Sequence, residues 1–231
     1  MTNCVIVAAE PAIGRAIADA LAALDVQAAG VGPDRPFDAA AGQIPTGFDD
    51  VEATLQRAGA VDAVVVALAP AAVGGAASAT AWQRLLDEHA ATGPHVLAHA
   101  AWSRAAMRRA IADNRPIRVV HVTVTPTPAA DSAAQAVAQL VRSAQDTPAA
   151  VGFDAFSVCY ERVAEADDRP LGELIARLVW AGDTTALAGA ELVVRPDWVG
   201  IRRHPGPIVT VSYGGPQLPE WVDGTLREAL A

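Results

Sequence analysis

The chain has 231 residues, 17 cationic against 26 acidic side chains, a formal net charge of −9 and a hydrophobic fraction of 52%. All 17 cations are arginine, which excludes any mechanism that runs on a side-chain amine, whether a Schiff base, a phosphate-loop lysine or a lysine that lowers a neighbour's pKa. An acidic balance with no basic run argues against a nucleic-acid or anionic-membrane partner, and the length suits one α/β domain.

The first apolar run, Cys4 to Ala9, has strand character and meets a turn at Glu10-Pro11. Ile13, Ile17, Leu21 and Leu24 then recur at three- and four-residue steps, one face of a helix. Asp25 to Val31 reads as a second strand, so the first thirty residues form a βαβ unit with a right-handed crossover. Asp50 to Ala58 reads as a short amphipathic helix, and Ala63 to Leu68 as a strand covered on both faces. A small-residue loop leads to a long helix over 81–113, with a break expected near Gly93-Pro94. Ile117 to Val124 is the next strand, and a Pro/Thr-rich loop runs on to Asp131. An Ala-rich helix over 132–145, a strand at Phe153–Cys159, a helix at Leu171–Trp180 and a strand at Glu191–Val194 complete the alternation.

This order predicts an α/β fold, a Rossmann-like doubly wound and mostly parallel sheet with helices on both faces. The domain is placed at 1–197. Residues 198–231 are expected to add a C-terminal strand, Ile208–Tyr213, and a helix near Trp221–Leu230, packed on the sheet edge or on a neighbouring subunit. Cys4 and Cys159 sit in apolar runs without a CxxC pair, which reads as buried thiols in a reducing compartment. With no basic segment ahead of the first apolar run, and no apolar stretch of about 18 residues, a cytoplasmic protein with no membrane span is expected.

Several stretches, taken in order, resemble the short-chain dehydrogenase/reductase family over almost the whole chain. Val5 to Gly14 with Arg15-Ala16-Ile17 resembles its opening strand, glycine loop and first helix, and Asp62 to Val66 its fourth strand. The stretch from Trp82 to Gly93 resembles the start of its long interface helix. Arg169 to Leu174 and Leu187 to Val194 resemble its penultimate helix and last strand. The resemblance implies NAD or NADP as cofactor and carbonyl reduction by a Tyr-x-x-x-Lys pair, a hydroxyl residue and an asparagine.

At the positions that would do this work the chain departs from the family. Of three loop glycines only Gly14 remains; Ala8 and Ala12 replace the others, and Ala8, Ala12, Ile13 and Gly14 form a vestigial cofactor loop. Added Cβ atoms crowd a pyrophosphate, and Glu10 sets a negative charge beside it. Asp131 and Gln135 stand where the tyrosine and lysine would be, Thr123 or Thr125 at the hydroxyl residue, and His89 near the asparagine. The expectation is therefore a catalytically degenerate chain with no cofactor. It would act as a structural or regulatory subunit, pairing with itself or with an active paralogue through helices 81–113 and 132–145, whose faces such as Ala133-Ala134 and Val137-Ala138 permit close approach. The alternative is an atypical enzyme, an NAD(P)-dependent oxidoreductase or a non-redox lyase or dehalogenase-like activity.

Other residues admit two readings. His95 and His99, four apart, read as surface or interface histidines, with metal ligation the alternative. His89 with Asp131 would make an acid/base pair if the fold brought them together. Tyr160-Glu161, where the family has Pro-Gly, would re-line the nicotinamide pocket or lie on a solvated loop. Arg202-Arg203-His204 reads as a salt-bridged surface cluster. The five tryptophans read mostly as packing anchors, with Trp198 and Trp221 suited to an interface.

Overall fold

A computed structural model describes residues 2–31, 44–70, 80–125, 128–145, 152–163 and 167–202. Seven strands form one sheet in the order β2-β1-β3-β4-β5-β6-β7. They are β1 (Asn3–Ala8), β2 (Gln27–Val31), β3 (Ala63–Leu68), β4 (Ile117–Val124), β5 (Phe153–Tyr160), β6 (Glu191–Arg195) and β7 (Trp198–Arg202). The first six are parallel, and β7 runs antiparallel to β6. The helices are α1 (Pro11–Ala22), α2 (Phe48–Arg57), α3 (Ala81–Ala90), α4 (Thr92–Asp113), α5 (Pro128–Gln145) and α6 (Arg169–Trp180).

The strands read as unbroken apolar runs because both faces of the sheet are covered, yet their alternation still sorts the side chains. Ile6, Val65, Val120, Val122 and Val158 face α1 and α6. Val5, Val7, Val64, Val66 and Val119 face the layer made by α2, α4 and α5. Strand order reverses at β1, with β2 on one side and β3 on the other, so the carboxyl ends of β1 and β3 flank the crevice where open α/β sheets bind ligands.

Two close approaches set the layer beside that crevice. A Cβ on Gly172 of α6 would lie 2.4 Å from the Ala16 carbonyl oxygen, so the glycine lets α6 press on the α1 backbone. A Cβ on Gly14 would lie 3.0 Å from the Ala8 Cβ, so the one surviving loop glycine accommodates the alanine that replaced its partner. From the far side, Arg118 of β4 caps α6: its guanidinium donates to the carbonyls of Leu178, Val179 and Ala181 at 3.1, 3.2 and 2.6 Å.

The break expected near Gly93-Pro94 in the long helix falls at Ala91, and Pro94 takes the first turn of α4, where no intrahelical N–H is required. Other details differ from the sequence reading. The Ala-rich helix starts at Pro128, so Asp131 belongs to its first turn. Ala133, Ala134, Val137 and Ala138 are buried within the chain, and α5 presents Gln135 and Gln139 outward. A strand not read from the sequence, Trp198–Arg202, follows β6, while the expected strand Ile208–Tyr213 and helix Trp221–Leu230 lie outside the described residues. Among the described residues no helix is long and apolar enough to cross a membrane.

Candidate functional site

The β1–α1 turn supplies the first wall of the crevice. Ala8 is buried at the end of β1, Pro11 opens α1 and contributes no N–H, and Ile13 turns into the core. Ala12 is exposed and Gly14 half-buried. Glu10, at the N-cap, makes no capping bond. Its carboxylate instead pairs with Arg162, which follows β5. Arg162 also holds Asp168, Nη2 to Oδ2 at 2.9 Å and Nε to Oδ1 at 3.2 Å. The Tyr160 hydroxyl donates to the same Oδ1 at 2.7 Å. Tyr160 is almost wholly buried and Asp168 is 7% exposed. Burial and the Asp168 carboxylate both push the phenol's pKa up, so it stays protonated and donating. Since β3 and β4 lie between β1 and β5, the Glu10–Arg162 pair spans the carboxyl ends of both.

Alternation separates Tyr160 from Glu161. Tyr160 packs into the α1/α6 core, so it neither re-lines a pocket nor lies on a solvated loop. Glu161 takes the other side, paired with Arg195 and, at 3.7 Å, with Arg202. One ligand atom each from Asp131, Cys159 and Glu161 lies within 4.8 Å of the others, the one such grouping of three metal-ligating side chains among the described residues. The Cys159 thiol is buried 3.6 Å from the Thr125 hydroxyl, which itself donates to the Tyr160 carbonyl. Burial pushes that thiol up to about 11, so it is protonated at neutral pH and no nucleophile.

The four family counterparts do not form a hydrogen-bonded set. Thr123 is buried and meets His95, Nε2 to Oγ1 at 3.2 Å. Asp131 is half-buried beside Cys159, while Gln135 is exposed. His89 is exposed at the end of α3, and no hydrogen bond or ion pair among the described residues joins it to Asp131.

The largest departure from the sequence reading is the pair His95 and His99. They are 6% and 0% exposed, inside the molecule and not at its surface. A third ring, His121 of β4, completes a cluster: His99 Nδ1 and His121 Nδ1 are 2.9 Å apart, and His121 Nε2 lies 2.7 Å from the Ser103 hydroxyl. Burial lowers the His95 pKa to about 4 and that of His121 to about 3, so the rings are neutral at physiological pH. The spacing in α4 was visible in sequence. Nothing local in the sequence showed that His121, on the α4 side of β4, would meet it.

Arg202 pairs with Glu161 and Glu191 as expected, while Arg203 and His204 lie outside the described residues. Both cysteines are free and buried. Of the described tryptophans only Trp102 is buried; Trp82, Trp180 and Trp198 are exposed.

No family model matches the chain, and no curated protein does. Solved structures do. A short chain dehydrogenase from Mycobacterium avium aligns over 98% of this chain and 94% of its own, at 16% identity and a TM-score of 0.71. A short-chain type dehydrogenase/reductase from Mycobacterium marinum aligns over 84% and 93%, at 15% identity and a TM-score of 0.67. An oxidoreductase (short chain dehydrogenase/reductase) from Brucella ovis aligns over 84% and 100%, at 16% identity and a TM-score of 0.60. The chain has the Rossmann-like fold of the short-chain dehydrogenases.

Proposed function

We propose that this chain is a non-catalytic protein of the short-chain dehydrogenase/reductase fold, a structural or regulatory subunit that pairs with itself or with an active paralogue. The observation that carries the reading is the Glu10–Arg162–Asp168 bridge over the crevice. A pyrophosphate needs close backbone approach, N–H groups at the helix start and positive potential there. Here Pro11 removes an N–H, Ala8 is packed against Gly14, and the Glu10 carboxylate stands at the helix start, already holding the nearby arginine. The residues present do not suit a dinucleotide, and the chain is assigned no cofactor.

The reacting groups point the same way. Asp131 and Gln135 replace the phenol and amine, and no lysine exists to restore the pair. The buried thiol is protonated and the buried imidazoles are neutral, so none of these groups is tuned to exchange protons near pH 7. The alternative reading, an atypical enzyme on this fold, draws support from the convergence of Asp131, Cys159 and Glu161 at the carboxyl end of β5. The pairing of Glu161 with two arginines weighs against it.

Co-expression with the proteins encoded by neighbouring genes tests the proposal. A complex that gains stability or activity from this chain, while the isolated chain turns over nothing, supports it. Reduction of a carbonyl compound by the isolated chain with NADH or NADPH overturns it.

A further inference from the structure

We propose that the histidine cluster between α4 and β4 is an acid-sensitive fastening: neutral, it holds the helix to the sheet, and protonated, it drives the two apart. The geometry of the cluster supports this independently of any role for the crevice. His99 and His121 meet nitrogen to nitrogen, Nδ1 to Nδ1 at 2.9 Å, a contact that exists only while one of the two carries no hydrogen. An imidazolium has hydrogens on both nitrogens, so protonating the accepting ring turns the hydrogen bond into N–H against N–H. The other nitrogen of His99, Nε2, is buried without a partner among the described residues, and a charge on that ring would meet none there to answer it. His95 stacks edge-on to His99 with ring centres 4.6 Å apart, and His99 to His121 at 5.0 Å, so a charge on one ring opposes a charge on the next.

Among the described residues no counter-ion pairs with the cluster. Its polar partners are the hydroxyls of Thr123 and Ser103. The ionisable groups on the elements packed against α4 and β4 include Asp50 and Glu52 of α2, Asp87 and His89 of α3, Asp131 and Arg142 of α5, and Asp154 of β5. None of them hydrogen-bonds or ion-pairs with a ring. Glu52 holds Arg108, Asp87 accepts from Gln83, Arg142 holds Gln139, and Asp154 faces Arg118 and Thr185. Burial first, and the neighbouring rings after it, lower the pKa values of His99 and His121 in the folded chain.

The sign follows by linkage. An unfolded histidine titrates near about 6.5, and the folded ones lie lower, so the unfolded state binds more protons as the pH falls. The stability is fully present above that value and is lost as the pH drops toward the folded values. What opens first is the α4 side of the molecule, and Trp102 of α4, wholly buried and donating to the Pro45 carbonyl at 3.2 Å, reports it.

Acid titration of the full chain, read by tryptophan fluorescence and near-ultraviolet circular dichroism, tests the proposal on wild type, His121→Asn and His99→Leu. The expected result is that a variant which folds at pH 7.5 keeps the buried-tryptophan signal to a pH lower by about half a unit or more, because fewer protons drive the opening. An acid midpoint equal to that of the wild type in every variant that folds overturns it. Histidine ring NMR on the wild type needs no variant: the three rings are expected to stay neutral until the Trp102 signal is lost. Titration of all three near about pH 6.5 with that signal intact overturns the proposal.

Discussion

Arg162 stands between a half-exposed carboxylate and a buried one, and the two interactions differ in worth. Asp168 is 7% exposed, so Arg162→Ala leaves a carboxylate in the interior with only the Tyr160 hydroxyl, an expected loss of about 3 kcal/mol. Tyr160→Phe removes one hydrogen bond while the ion pair remains, and is expected to cost about 1 kcal/mol. Glu10→Ala removes the more exposed end and is expected to cost under about 1 kcal/mol. Urea denaturation of the three variants checks the order; a Glu10→Ala loss as large as that of Arg162→Ala contradicts the account. At this scale the sequence showed which residue types were present and which were missing. It showed Glu10 beside a disabled loop, but not that an arginine 152 residues further on would reach it, since that contact depends on β1 and β5 sharing one sheet.

Helices α1 and α6 lie close because neither the Gly172 side nor the Ala16 side has a side chain in the way. Gly172→Ala places a methyl 2.4 Å from a backbone carbonyl oxygen, which forces the helices apart, at an expected cost of about 1–3 kcal/mol. Gly93→Ala in α4 is the matched control: its Cβ meets nothing within 4 Å, so a gain of up to about 1 kcal/mol is expected from the unfolded chain's lost freedom. Thermal unfolding separates them, and equal midpoints would remove the close-approach argument. The α6 C-terminus offers a second test. Arg118→Ala forfeits three charged hydrogen bonds to carbonyls, an expected loss of about 2 kcal/mol, and Arg118→Lys restores only part because an ammonium lacks the planar fork. Most elements were legible from periodicity, since a helix and a doubly covered strand leave different spacings. Their ends were less so: a proline at the first turn starts a helix as readily as it breaks one, which is why α5 begins where a loop was expected.

For the whole molecule, alternating strands and helices were enough to read a doubly wound sheet, and the fold of the short-chain dehydrogenases bears that out. The assignment of side chains to one face or the other was not readable, because runs such as Ala63–Leu68 are apolar at every position and carry no period of two in their letters. That ambiguity hid the histidine cluster and left Tyr160 between a pocket and a loop, when it lies in the core. On the proposed function, the chain's own residues close the crevice of this fold to dinucleotides. Isothermal calorimetry of the purified chain with NADH and NADPH tests it most directly. No binding heat is expected at millimolar cofactor; a saturable isotherm with a micromolar dissociation constant overturns the proposal.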